Sequence, residues 1–374
     1  MAFYSLEKTK KVWYNKITME NKEIDFTQIL SEDRNFKKIS SKKMRVSDVK
    51  KTNSYFDRLL ESGNGWKIYL FAKDNDKHID IKKAGEAIAL SGDAAAAFHF
   101  ARRFKKEIVK DLKDGGELFN NLRDCICNSN TAKYIFELAD EYQKVKLVDL
   151  KYLENKICRM RQCVEYKYRY GLEIAGADQK VISALIAKEN RADYIIECAK
   201  NYKQYDVKAV YEGLRAAKDA DQTKRFAKEV KGVNIPALSI IMSETGNVKE
   251  MYEFSRRYQA DGVILEAIQK GLCETKCNPI IKAEYLARFM RRFQDEKKID
   301  LKELQTSLEE TKSAYWLIDC AENVKNSDKV SIARTLIDLN DETSLGLFVS
   351  NVNKGDQYIK MAQQIEESEQ KSRK

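Results

Sequence analysis

Proline is nearly absent from this chain, with 2 in 374 residues, and glycine is sparse at 15. That excludes a collagen-like chain and argues against a loop-rich or mainly β fold, both of which need these residues at their turns. No apolar run approaches the ~18 residues that a membrane helix requires. The opening residues, Met1 to Lys8, lack the apolar core of a secretion signal. No membrane partner is expected, and the expected compartment is the cytoplasm. Histidine is as scarce as proline: His78 sits in a polar connector, and His99 sits in an apolar helical segment where a packed ring is the simpler reading. GxSxG, Walker A, HExxH and GxGxxG phrases are all missing. Gly63-Asn64-Gly65 and Asp114-Gly115-Gly116-Glu117 read as a helix cap and a plain inter-helix loop, not as phosphate cradles. The chain is therefore expected to be no enzyme, with no cofactor and no small-molecule substrate. An active site assembled from scattered carboxylates is the alternative.

Cysteine is present but unpatterned. Cys125, Cys127, Cys158, Cys163, Cys198, Cys273, Cys277 and Cys320 are scattered, several at apolar helical positions, as suits small core residues in a reducing compartment. Cys125-x-Cys127 and Cys273-x-x-x-Cys277 could each offer two thiolates to zinc, but neither has knuckle spacing and they lie far apart in sequence. No metal is expected.

What the chain does contain is a phrase that recurs. Ser62-Gly63-Asn64, Ser91-Gly92-Asp93 and Thr245-Gly246-Asn247 each precede an apolar-aromatic run, and in each the Asn or Asp lies eight residues before a small residue: Ala72, Ala101 and Ser255. Asn or Asp after Gly is a good helix N-cap, because its side-chain oxygen accepts a first-turn N–H. The small residue lets a neighbouring helix approach. Weaker copies place further small or apolar anchors at Ala139, Ala175, Ala199, Ala227, Met290, Ala321 and Ser350, giving intervals of 24 to 38 residues. Each interval accommodates two short helices and two turns, the signature of stacked helical units. Pro236 falls near the first turn of a second helix, where its missing N–H costs nothing.

This Gly-Asx phrase with its Tyr-x-Phe-Ala continuation, together with Phe226-Ala227-Lys228-Glu229-Val230-Lys231-Gly232-Val233-Asn234-Ile235, resembles short tandem helical repeats of bacterial, phage and large-virus proteins. The resemblance covers roughly residues 62–355 and is strong in three or four units; over 140–190 the Gly-Asx punctuation disappears. It implies a helical array and brings no catalytic residues with it.

The expected fold is therefore all-α. It is an α-solenoid of irregular helix-turn-helix repeats of 24 to 38 residues, HEAT- or TPR-like, over residues 62–365. A divergent basic and aromatic N-terminal cap occupies 1–61, and a charged tail occupies 366–374. Trp66 to Phe71 favours β structure by composition but fills the first-helix slot of the repeat and is expected as helix.

The residue after each anchor should recur at one place on successive first helices. These residues are Lys73, Arg102, Asp140, Gly176, Lys200, Lys228, Arg256, Arg291, Glu322 and Asn351, and Arg103, Arg257 and Arg292 follow three of them. The basic members would form a positive row for an acidic protein surface or a phosphate backbone. The competing reading is an ordinary solvated helix face. A second basic stretch, Arg159, Arg161, Lys167 and Arg169 among Tyr166, Tyr168 and Tyr170, could stack bases and pair phosphates. At helical spacing the same tyrosines can be half-buried beneath Lys and Arg stems. The functional expectation is a non-enzymatic intracellular scaffold or inhibitor that recognises a macromolecule, most simply a protein, along its repeats. A phage or mobile-element role, such as countering a host defence complex, would fit. An RNA- or DNA-binding array is the alternative.

Overall fold

In the computed structural model the structure describes residues 46–372, all of its regular elements being helical. The expected N-terminal cap lies mostly outside the described residues, as do its lysines from Lys37 to Lys43; its last part is the helix α1, Val46–Glu61. Among the described residues there are 22 α-helices and no strand. Packing divides the chain between Val148 and Asp149 into two units.

The first unit continues with α2 (Gly65–Asp74), α3 (Ile81–Ser91), α4 (Ala94–Arg103), α5 (Lys105–Lys113), α6 (Glu117–Asn128) and α7 (Ala132–Tyr142). First helices α2, α4 and α7 stack on one another, and the second helices α3 and α6 form the opposite layer. Phe56 of α1 stacks on Phe71 of α2 at 5.9 Å.

The second unit contains α8 (Leu150–Arg159), α9 (Val164–Glu173), α10 (Gln179–Lys188), α11 (Ala192–Asn201), α12 (Val207–Ala217), α13 (Ala220–Glu229), α14 (Ile235–Ser243) and α15 (Val248–Tyr258). It continues through α16 (Leu265–Glu274), α17 (Pro279–Phe293), α18 (Leu301–Glu310), α19 (Ala314–Asn323), α20 (Lys329–Asp338), α21 (Glu342–Asn351) and α22 (Gly355–Ser372). Odd-numbered helices from α9 to α21 pack side by side as first helices, and even-numbered ones form the second layer. The charged stretch after Ile365, expected as a separate tail, continues α22, where Glu369 pairs with Arg334 at 2.6 Å.

The repeated phrase has a specific mechanical meaning. Ser62, Ser91, Ser129 and Thr245 each donate their hydroxyl to a carbonyl in the last turn of the helix they end, and each accepts the N–H of the residue that caps the next helix. The residue between is left-handed. Gly fills it at Gly63, Gly92 and Gly246, while Asn130, Gln162, Asn190, Lys218, Lys312 and Asn340 take the same positive φ without being glycine. The turn therefore persists where the Gly-Asx punctuation is lost. From Cys163 through Arg191 and Asp219 to Asn247, first-helix caps fall every 28 residues.

This periodicity corrects two anchors. Ala175 is exposed in the turn after α9, and Ser350 is exposed near the end of α21. Eight residues after Cys163 comes Gly171, buried against Tyr202: a Cβ there would meet the ring Cζ at 2.6 Å. Eight after Asp341 comes Val349, itself 44% exposed, so α21 carries no buried anchor at this position. The row positions Gly176 and Asn351 accordingly shift to Leu172 and Ser350. The remaining anchors Ala72, Ala101, Ala139, Ala199, Ala227, Ser255, Met290 and Ala321 are all buried. An aromatic or aliphatic residue beside most of them, such as Phe71, Phe100, Phe226, Phe254 or Phe289, is enclosed in the core. Each such side chain contributes ~1.5–3 kcal/mol by leaving water. Cys198 and Cys320 pack there too, burial pushing both thiols up to about 12.

A second periodic device lies in the other layer. The N-cap residue of each second helix has a backbone N–H that points away from its own helix. In the second unit it is accepted by the preceding second helix: Asp178 N by Glu154 (2.9 Å), Asp206 N by Ser183 (3.0 Å) and Asn234 N by Tyr211 (2.7 Å). The ladder continues with Ile264 N to Ser239 (3.1 Å), Asp300 N to Gln269 (2.9 Å) and Asp328 N to Gln305 (2.8 Å). The acceptor is always the fifth residue after its own helix's N-cap. Glu154, Ser183, Ser239, Gln269 and Gln305 are buried polar residues for this reason.

Ser239→Ala should cost about 1–3 kcal/mol, because it leaves the Ile264 N–H without its acceptor; urea unfolding and faster amide exchange at Ile264 are the measurements. Ala199→Arg should lower the melting temperature markedly, since it overpacks an inter-helix contact and buries a charge; an unchanged thermal midpoint would refute the anchor position.

Candidate interaction surface

The residues after the anchors do emerge on the exposed side of the first helices. Lys73, Arg102, Lys200, Lys228, Arg256 and Arg291 are all exposed, as are Arg103, Arg257 and Arg292. Their charge, however, is largely met by carboxylates, many of them on the next repeat. Arg102 faces Glu141 at 3.7 Å, Lys200 faces Glu229 at 2.8 Å, and Arg291 faces Asp319 at 3.4 Å. Arg103 pairs with Asp76 and Arg256 with Glu253. Arg292 donates to Gln259, and Arg257 lies over the Tyr258 ring. Lys73 and Lys228 form no ion pair among the described residues. The row is thus an alternating lattice with a few open cations, not a continuous positive stripe.

The lattice is densest between α11 and α13. Glu197 accepts from Lys200 and Arg225, and Glu229 accepts from the same two cations. Hydrogen bonds from Lys200 and then Arg225 hold the exposed Glu229 carboxyl down to about 2.

The tyrosine-rich stretch resolves differently. In a helix the alternation over 166–170 does not put its tyrosines on one face. Val164, Lys167, Tyr170 and Gly171 turn inward. Lys167 is buried and pairs with Glu189, so it is unavailable to a phosphate, contrary to expectation. Tyr170 donates to the Leu150 carbonyl at 2.7 Å. Arg169 folds back onto Glu173 at 2.9 Å. Arg159 and Arg161 remain exposed at the end of α8 and in the turn that follows.

Sequence reasoning missed an aromatic ladder along the first helices. In the first unit Trp66 and Tyr69 of α2 contact His99 of α4, and Phe98 contacts Tyr134 of α7 at 5.6 Å. His99 is a packed ring here, and burial lowers its pKa. In the second unit Tyr168 meets Tyr194 at 5.8 Å, and Tyr252 meets Tyr285 at 5.9 Å. Lys133, Arg191 and Arg288 lie over Tyr134, Tyr194 and Tyr285 respectively. The sequence signal was there: Tyr69, Tyr134, Tyr168, Tyr194 and Tyr252 lie three to five positions after a cap, and Tyr285 lies seven after Asn278.

Exposed apolar side chains also collect near the starts of first helices. Ile280 (65% exposed) and Ile281 (47%) stand in α17, and Tyr315 (70%) stands in α19. Among the described residues no cluster of three or more His, Cys, Asp or Glu side chains could hold a metal ion, and no helix is long and apolar enough to cross a membrane. Comparison with protein-family models, curated proteins and solved structures returns no match.

The Glu229 pair makes a pH prediction. A carboxylate held below its ordinary value of ~4.3 stabilises the fold above that value, and the contribution disappears as pH falls toward the lowered one. NMR titration should place the Glu229 midpoint near 2, as its two cations imply. Lys200→Met with Arg225→Met should return it to the usual carboxylate range.

Proposed function

We propose that this chain is a non-enzymatic binding protein whose repeats recognise a protein partner through the exposed face of the first helices. The observation that carries this reading is the neutralisation of the basic row by the array's own carboxylates, Glu141, Glu229 and Asp319 among them. A phosphate backbone binds by releasing counterions from many uncompensated cations. A face already neutralised and carrying half-exposed tyrosines and apolar tips suits a protein surface better, since aromatic residues dominate protein–protein contacts.

Charge bookkeeping supports the same choice. Over the described span, residues 46–372, there are 55 Lys and Arg against 52 Asp and Glu. The formal +10 of the chain comes in large part from residues 1–45, with eleven basic against six acidic residues. That N-terminal excess, with the open Arg159 and Arg161, is what favours the nucleic-acid alternative.

A pull-down with the full chain should retain a protein partner after nuclease treatment. Its binding to a mixed RNA and DNA pool should be weak at 50 mM salt. Tight nucleic-acid binding that falls about 10³-fold or more between 50 and 200 mM salt would instead establish the alternative.

A further inference from the structure

The 28-residue rhythm is lost in both intervals of the run of first helices from α15 to α19. The caps Asn247, Asn278 and Ser313 are separated by 31 and 35 residues, and α17 is 15 residues long where its neighbours have 11 and 10. The added length lies at the start of α17. Counting back from its anchor Met290, Ala283 stands at the first-residue position of the other first helices, so Pro279 to Lys282 form an extra turn. Asn278 caps that turn, accepting from Ile280 N at 2.9 Å, and Pro279 stands in it without a cost in hydrogen bonds.

This turn does nothing for the core. Ala283, Tyr285, Leu286 and Ala287 are buried, whereas Ile280 and Ile281 are 65% and 47% exposed. Two exposed isoleucines at the tip of an inserted turn are costly for solubility unless they are covered. On the adjacent first helix, Tyr315 is 70% exposed and its ring packs edge-on to Trp316 at 4.9 Å. Met290 and Ala321 share the anchor position, so Tyr315 stands level with Glu284, about one helical turn (~5 Å) from the isoleucines. Helices in contact lie ~8–10 Å apart, which places Ile280, Ile281 and Tyr315 within reach of one short peptide segment. Insertions in repeat arrays commonly carry the binding face.

The rim is basic. Lys276, in the turn before α17, Lys312, in the turn before α19, and Lys249, in the first turn of α15, are exposed and form no ion pair among the described residues. The carboxylates of α15 and α17 nearby are engaged: Glu284 by Arg288 at 2.7 Å, Glu253 by Arg256 at 2.7 Å and Glu250 by Lys224. Glu274, at the end of α16, faces Lys270 at 3.8 Å. Glu310, in the last turn of α18, is the acidic exception. An apolar centre ringed by open lysines selects against basic segments and for acidic ones.

We propose that the tip of α17 and the start of α19 form a docking site for an acidic amphipathic segment of a partner protein. Its apolar side chains cover Ile280, Ile281 and Tyr315 while its carboxylates meet Lys276, Lys312 and Lys249. This rests on the protein-partner reading and names where that partner is held.

The test uses the full chain and fluorescein-labelled amphipathic peptides of one apolar pattern, built from Leu and Phe with either Glu or Lys at the polar positions. A single-stranded RNA of mixed sequence serves as a third probe. The Glu peptide should bind, with anisotropy saturating at micromolar concentrations, and the Lys twin should not. Ile281→Glu with Tyr315→Glu changes two exposed positions and should leave the melting curve intact while weakening the Glu peptide at least ~10-fold, as expected for loss of central apolar anchors. Lys276→Ser with Lys312→Asn should weaken it ~3-fold or more and flatten its salt dependence; Asn suits the left-handed backbone at Lys312. Equal binding of the two peptides, no binding of the Glu peptide, or undiminished binding by the folded Ile281→Glu/Tyr315→Glu variant would overturn the site. If the site fails in this way while a nuclease-resistant protein is still captured, the protein-partner reading stands and the partner docks elsewhere. RNA binding that the same variant does not disturb, with the peptides inert, overturns both.

Discussion

The structure of the second unit depends on what happens to one backbone N–H per repeat. A helix leaves its first donors without intrahelical partners, and the N-cap side chain satisfies donors further in, not its own. Here Asp206 and Asp300 cap their helices with a carboxylate and hand their own N–H to the neighbouring repeat, through Ser183 and Gln269; Asn234, which caps with its amide oxygen, and Ile264, which has no capping side chain, hand theirs on in the same way. A buried donor without an acceptor costs about 1–3 kcal/mol, so each hydrogen bond of this kind fixes both the height and the orientation of one hairpin against the last. The hydrophobic contacts at Ala199, Ala227 and Ser255 bring the helices together. They would tolerate sliding, whereas the ladder does not. Repeat arrays hold together through such nearest-neighbour terms.

Because stacking is settled by the small anchor on one layer and the ladder on the other, the outward face of the first helices is free of structural duty. Its residues vary accordingly. Several of the Lys and Arg residues placed there meet a carboxylate one repeat on, as at Lys200 with Glu229 and Arg291 with Asp319. Exposed pairs of this kind add little to stability, ~0–1 kcal/mol. Their larger effect is to cancel the field that a polyanion would need. The inserted turn of α17 breaks this pattern with apolar side chains, and for that reason it is the part of the surface most readily explained by binding.

Much of the fold could be read directly. Asn64, Asp93 and Asn247 cap helices as the phrase implies, and Ala101, Ala139 and Ala321 are enclosed as a small residue at that spacing should be. These are local properties: a cap needs one oxygen and one left-handed residue, both visible as residue types a few positions apart. Trp66 to Phe71 is helical despite its β-favouring composition, because the apolar residues fall where the next layer can cover them. The reading erred where residue type and position part company. The anchor of α9 is Gly171 and not Ala175, because the turn before that helix carries Gln162 in place of Gly. Lys167 is basic and flanked by tyrosines, which suits a phosphate ligand as well as a half-buried stem, yet it lies at the inward position of α9 and meets Glu189.

The sequence by itself determined the helices, their caps, the approximate repeat and the near-absence of catalytic vocabulary, since each depends on contacts within a few residues of chain. Tertiary structure decided the ladder, the charge lattice and the exposed tip. Glu154, Ser183, Tyr211, Ser239, Gln269 and Gln305 share no side-chain chemistry beyond an oxygen that can accept, so no pattern of residue types reveals them. What they share is a place, five residues past a cap and one repeat away from a donor, and that relation exists when the hairpins are stacked. In the same way Arg291 is a free cation in sequence and a neutralised one in space, because Asp319 lies 28 residues on and 3.4 Å away.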